Sequence, residues 1–107
     1  MDEAMHLTER LLSESEIHNF LRSHRDWIYA ENALSRKLNF ISFEDAVSFI
    51  MRCSLEIEKL NHHPEWSNVY SRVSIVLRTH EAGGVTRLDT ELASKMDDIL
   101  RSYQLRQ

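Results

Sequence analysis

Apolar residues along the chain follow two spacings, one repeating every second position and one every three to four. Ser13 and Glu16 stand at capping-box separation, and Ile17, Phe20 and Leu21 follow at helical intervals, which predicts a short helix over roughly residues 14–23. Trp27, Ile28 and Tyr29 are aromatic or β-branched and suit a strand. From 33 to 41, Leu34, Arg36, Leu38 and Phe40 alternate with Ser35, Lys37 and Asn39, the period-two signature of a strand with one buried face. A hairpin through Glu31 and Asn32 joins the two strands. Ser42 then caps a second helix whose apolar stripe runs Phe43, Ala46, Val47, Ile50, Cys53, Ile57 and Leu60. This helix should stop near Asn61, because Pro64 disfavours helical geometry at His63 and Asn tolerates the left-handed cap position.

Residues 69–79 alternate again, with Val69, Val73, Ile75 and Leu77 sharing one face and Tyr70, Arg72, Arg78 and His80 the other. Glu81-Ala82-Gly83-Gly84 reads as a turn leading to a short fourth strand. Leu92, Ala93, Met96, Ile99, Leu100 and Tyr103 then form a third amphipathic stripe, with Thr86 or Asp89 near its cap. The order is therefore α-β-β-α-β-β-α. An α+β fold, a four-stranded antiparallel sheet with three helices packed on one face, is the simplest way to bury these stripes. The opposite sheet face then meets water, substrate or another subunit. Residues 1–12 lack a clear pattern and read as an N-terminal extension to a single domain over 13–107.

Composition narrows the function. With 107 residues, 42% hydrophobic, the chain has material for one modest core. Its net charge of -4 argues against direct nucleic-acid binding, which needs a basic face to neutralise phosphates. Two glycines and one proline leave no room for a glycine-rich nucleotide loop. The single cysteine, Cys53, excludes an internal disulfide and a cysteine-based zinc site. No basic leader opens the sequence, and no window approaches the roughly 20 apolar residues of a membrane span. The expectation is a cytoplasmic protein in a reducing compartment, away from membranes.

The densest chemical signal is Glu58-Lys59-Leu60-Asn61-His62-His63-Pro64-Glu65-Trp66, followed by Tyr70, His80 and Asp89. Imidazole, with an unperturbed pKa of roughly 6.5, gives or takes protons near neutrality. Adjacent His62 and His63 at a stiffened helix end, with His80 on the next strand, suit general acid–base work. Trp66 could wall a planar heterocycle. Plainer readings stand beside this one. The His pair could cap helix carbonyls, Asp89 could simply favour a helix N-terminus, and Glu58 could make an ordinary contact with His62 one turn on. Three histidines could also bind zinc, although neither cysteine nor the usual histidine spacing supports it.

The spaced set Glu58, His62-His63-Pro64, Tyr70, His80 and Asp89, with Thr79-His80-Glu81-Ala82-Gly83-Gly84-Val85-Thr86, resembles the pterin-4a-carbinolamine dehydratases. Arg36, Phe40, Phe43, Ala46 and Phe49 also stand where that family places its strand-to-helix residues, and the resemblance extends from about Trp27 to Leu100. It implies a dehydratase that removes water from 4a-hydroxytetrahydropterin to give quinonoid dihydropterin, in tetrahydrobiopterin recycling. Carried over, His62 and His80 would be the acid–base pair and His63 would bind and orient the pterin. Glu58 and Asp89 would hold the imidazoles, Pro64 would fix the loop and Trp66 would line the pocket. The resemblance implies no cofactor and no metal. It also implies a homodimer or homotetramer, and raises the alternative of a non-catalytic interaction or transcriptional cofactor module with a regulatory protein partner.

Overall fold

A computed structural model describes residues 9–106, and these residues form three α-helices and four strands. They are α1 (Glu14–Ser23), β1 (Ile28–Ala30), β2 (Ala33–Asn39), α2 (Phe43–Leu60), β3 (Glu65–Val69), β4 (Arg72–Leu77) and α3 (Arg87–Leu100). The expected order and the α+β class both hold. Of the extension expected over 1–12, residues 1–8 lie outside the described residues. The remainder lies against the fold: the Leu12 N–H donates to the Val85 carbonyl at 2.9 Å, and its side chain packs on the core.

Each helix begins where a short side chain can accept from the free N–H groups of its first turn. Ser13 and Glu16 complete a reciprocal capping box on α1, Ser42 Oγ accepts from the Asp45 N–H on α2, and Thr86 with Asp89 repeats the box on α3. Helix α2 ends at Asn61 in the left-handed region, φ 49°.

The sheet order is β1-β2-β4-β3, antiparallel throughout. Both central residues of the β1–β2 turn, Glu31 and Asn32, have positive φ (53° and 60°), the geometry that matches strand twist in a two-residue hairpin. Across the central pair, Leu34 faces Leu77, Arg36 faces Ile75 and Leu38 faces Val73, which gathers the apolar partners on one side. Against that side lie the buried Ala46, Phe49, Cys53 and Ile57 of α2 and Leu92, Ala93 and Met96 of α3. The open side carries Lys37, Asn39, Arg72 and Ser74.

The second half of the sheet departs from expectation in two ways. Residues 65–69 form β3, and a two-residue turn at Tyr70 and Ser71, with Tyr70 at φ 53°, folds the chain back into β4. Val69 therefore pairs with Arg72 on the open side, 50% exposed, instead of sharing a face with Val73 and Ile75. After β4 there is no fourth-strand return. Thr79 and Gly84 close on each other (Thr79 N–H to the Gly84 carbonyl, 2.8 Å) around a 3-10 turn, His80–Ala82, and the chain enters α3 directly. Gly83 takes φ 80° there, a conformation that favours glycine. Tyr103 lies beyond the end of α3, not on it, but its ring meets Phe40 edge-on at 5.5 Å. The tail then bridges back to the end of β2 through Leu105 and the Arg106 N–H.

Two outcomes follow from this core. Phe49 is fully buried, with Phe40 5.3 Å away and Tyr103 6.3 Å away, so Phe49→Ala should cost about 3–5 kcal/mol in urea unfolding. Burial also pushes the Cys53 thiol up to about 12 from an ordinary 9.0. The unfolded chain ionises first, so this group favours folding below about pH 9 and loses that contribution as pH rises toward 12. A thiol-disulfide dye at pH 8 should leave native Cys53 unlabelled and label it fully in denaturant.

Candidate active site

Antiparallel pairing of β3 with β4 sets Glu65 opposite Val76, so the start of β3 and the end of β4 share one end of the sheet. His62, His63 and Pro64 immediately precede β3, whereas Thr79 and His80 follow β4. The Thr79–Gly84 closure brings the N-terminus of α3 to the same place. Three separate stretches of chain thus meet there.

At their centre is Asp89, fully buried. Its Oδ1 lies 2.6 Å from His62 Nε2, and its Oδ2 accepts from the Thr79 hydroxyl and the Thr86 backbone N–H, both at 2.9 Å. Because an ionised carboxylate can only accept, Nε2 is the nitrogen of His62 that carries the proton toward Asp89. His62 is itself 5% exposed, and its backbone N–H donates to the Ile57 carbonyl at the end of α2. Burying a carboxylate is expensive unless donors surround it. Here three donors do so, and the helix N-terminus adds a favourable dipole.

A second imidazole–carboxylate couple stands at the surface. His80 Nε2 is 3.0 Å from Glu65 Oε2, and the same oxygen lies 3.3 Å from Arg78 Nε. The His80 side chain is 72% exposed, so this contact is solvated and weak compared with the first. His63 and Glu58 are exposed, Glu58 on the last turn of α2. Pro64 and Trp66 are half-buried, and Trp66 pairs with Ile75 on the helix-facing side of the sheet.

The residues singled out in the sequence therefore lie around one end of the sheet at different depths, except Tyr70, which sits exposed in the β3–β4 turn at the opposite end. His62 and Asp89 are inside, and His63 and His80 face solvent. Sequence reasoning gave three participants no role at the site. Thr79 and Thr86 support Asp89, and Glu65 reaches His80. The capping-box spacing of Thr86 and Asp89 was the available signal for one of them; Thr79 and Glu65 become visible only once β3 and β4 are paired. Among the described residues, no three His, Cys, Asp or Glu side chains are grouped to hold a metal ion. A groove of about 410 Å³ lined by Lys37, Asn39, Ser67, Arg72 and Arg106 sits at the other end of the sheet and contains none of the candidate residues.

The chain is similar to known proteins over most of its described length. The family model described as pterin 4 alpha carbinolamine dehydratase matches residues 10–99. A protein of Opitutus terrae provisionally named pterin-4-alpha-carbinolamine dehydratase is 44% identical over 90 residues, covering 83% of this chain and 93% of the relative. One of Bradyrhizobium sp. under the same provisional name is 46% identical over 98 residues, covering 90% and 98%. A crystal structure from Brucella melitensis, described as a transcriptional coactivator/pterin dehydratase, superposes with a TM-score of 0.78 at 42% identity, over 82% of this chain and 96% of that one. The fold is that of a small α+β domain with histidines grouped at one sheet end. The chain belongs to the pterin 4 alpha carbinolamine dehydratase family.

The buried network makes Asp89 a stability residue as well. Asp89→Ala would strand the His62, Thr79 and Thr86 donors, each worth about 1–3 kcal/mol when buried and unpaired. Urea unfolding should show a loss of about 2 kcal/mol or more, and Asp89→Asn, which keeps an acceptor oxygen, a smaller one.

Proposed function

We propose that this protein dehydrates 4a-hydroxytetrahydropterins to quinonoid dihydropterins by histidine acid–base catalysis, serving tetrahydrobiopterin recycling. The observation that carries the reading is the His62–Asp89 couple, a buried imidazole locked at 2.6 Å beside the two exposed imidazoles of the same sheet end. Membership of the family supplies the substrate class.

The reaction breaks the C4a–O bond, with a proton delivered to the departing hydroxyl and another taken from N5, whose electron pair completes the C4a=N5 double bond. His62 and His80 form the pair that moves these protons, and His63 binds and orients the pterin. Asp89 holds the proton on His62 Nε2, and Glu65 holds the His80 ring. Glu58 completes the acidic rim, Pro64 stiffens the approach to His62 and His63, and Trp66 offers a flat wall. Two positioned imidazoles, each worth about 10² to 10⁴ in rate, suffice for this chemistry without a cofactor or a metal. The working form is a homodimer or homotetramer in the cytoplasm.

The description of the Brucella melitensis structure as a transcriptional coactivator favours one other reading, a protein-binding module built on the same fold. Capture of a regulatory protein partner together with absent carbinolamine turnover would establish that reading instead.

Stopped-flow measurement on freshly generated carbinolamine tests the assignment. His62→Ala and His80→Ala should each lower turnover by about tenfold or more, whereas His63→Ala should act mainly on KM. Full activity in the first two variants would remove their catalytic roles.

A further inference from the structure

The hydrogen bonds around Asp89 run in one direction, and that direction can be read donor by donor. The Leu88 backbone N–H donates to Thr86 Oγ1 at 3.2 Å. The Thr79 hydroxyl gives its only hydrogen to Asp89 Oδ2 at 2.9 Å, so in the 2.7 Å contact between the two threonine hydroxyls Thr86 must be the donor. The chain of donation therefore passes from the α3 N-terminus through Thr86 and Thr79 to Asp89. The Thr86 N–H adds a second donor to the same carboxylate oxygen. With Oδ2 doubly engaged, Oδ1 is the oxygen turned to His62.

We propose that Thr79 is a positioning residue for His62: its hydroxyl fixes the rotation of the Asp89 carboxylate and so keeps the proton of the imidazole on Nε2. The inference rests on the catalytic reading of His62 given above. Thr79 and Thr86 are both fully buried, so no solvent molecule at the surface can replace the missing donor. Thr79 is also the residue immediately before His80. One short segment thus steers the buried imidazole through its hydroxyl while its neighbour carries the exposed one. Packing alone would ask for any β-branched residue at this position; the directional chain asks for a hydroxyl.

The discriminating variants are Thr79→Val, which keeps the shape and removes the donor, and Thr79→Ser, which restores it. The readouts are steady-state dehydratase kinetics and nitrogen-15 histidine NMR of solvent exchange at His62 Nε2–H, in the full-length protein. Thr79→Val should lower kcat by about ten- to a hundredfold with KM little changed, the range seen when the outer partner of a functional histidine is lost. It should also speed exchange of the Nε2 proton by about tenfold, and Thr79→Ser should bring both values back toward wild type. A folded Thr79→Val protein in which either readout stays at the wild-type value overturns the proposal, as does a wild-type His62 lacking a proton on Nε2. If Thr79→Val does not fold, Thr79→Cys, whose thiol is a weak donor, takes its place. Intermediate values then support the proposal and wild-type values overturn it. A wild-type protein without dehydratase turnover would sink the functional reading, while the exchange measurement would still decide what Thr79 does to His62.

Discussion

A buried carboxylate has to be surrounded by donors, and at Asp89 that requirement ties together much of the molecule. The donors come from just past α2 (His62), just past β4 (Thr79) and the N-cap of α3 (Thr86), three different junctions between elements. Displacing any one of them takes a donor from a carboxylate in the interior, where a lost hydrogen bond costs more than at the surface. The chemistry of the site and the closure of the fold therefore rest on the same group. That explains why the histidine with the best-defined orientation is also the least accessible.

The contrast between the two imidazole–carboxylate couples follows from depth. His62 and Asp89 are shielded from water, so their geometry is held by desolvation as much as by the hydrogen bond itself. His80 and Glu65 are solvated, and Arg78 shares the same carboxylate oxygen. One rigid imidazole thus shares its sheet end with two accessible ones. The open sheet face contributes differently: with Lys37, Asn39, Arg72 and Ser74 along it, it is far more polar than an uncovered apolar layer would be.

Much of the fold was legible along the chain because period and capping are local properties. Ser13, Ser42 and Asn61 marked helix ends where the structure has them, and α2 buries the expected Ala46, Cys53 and Ile57 together with Phe49, which the predicted stripe left out. Phe43, on the same predicted stripe, is 56% exposed at the first position of α2. The misreading at residues 65–84 has a single origin. Alternation continues unbroken through Val69 to Leu77, so nothing in the periodicity reveals that the chain reverses at Tyr70. The reversal needs a positive φ at a residue that rarely adopts one, and strand pairing supplies the energy that holds it.

The sequence by itself determined the element types, their order and which side chains are candidates for proton chemistry, since these depend on side-chain character and near-neighbour spacing. It could also place Thr86 and Asp89 as a capping box, because both partners lie within one helical turn. Only the tertiary structure decided that Asp89 turns its other oxygen to His62, that Thr79 stands behind it, and that Glu65 accompanies His80. Those contacts join residues up to 27 positions apart, and their formation depends on the register between β3 and β4. Register is set by the burial of whole faces, a property no short stretch of chain possesses.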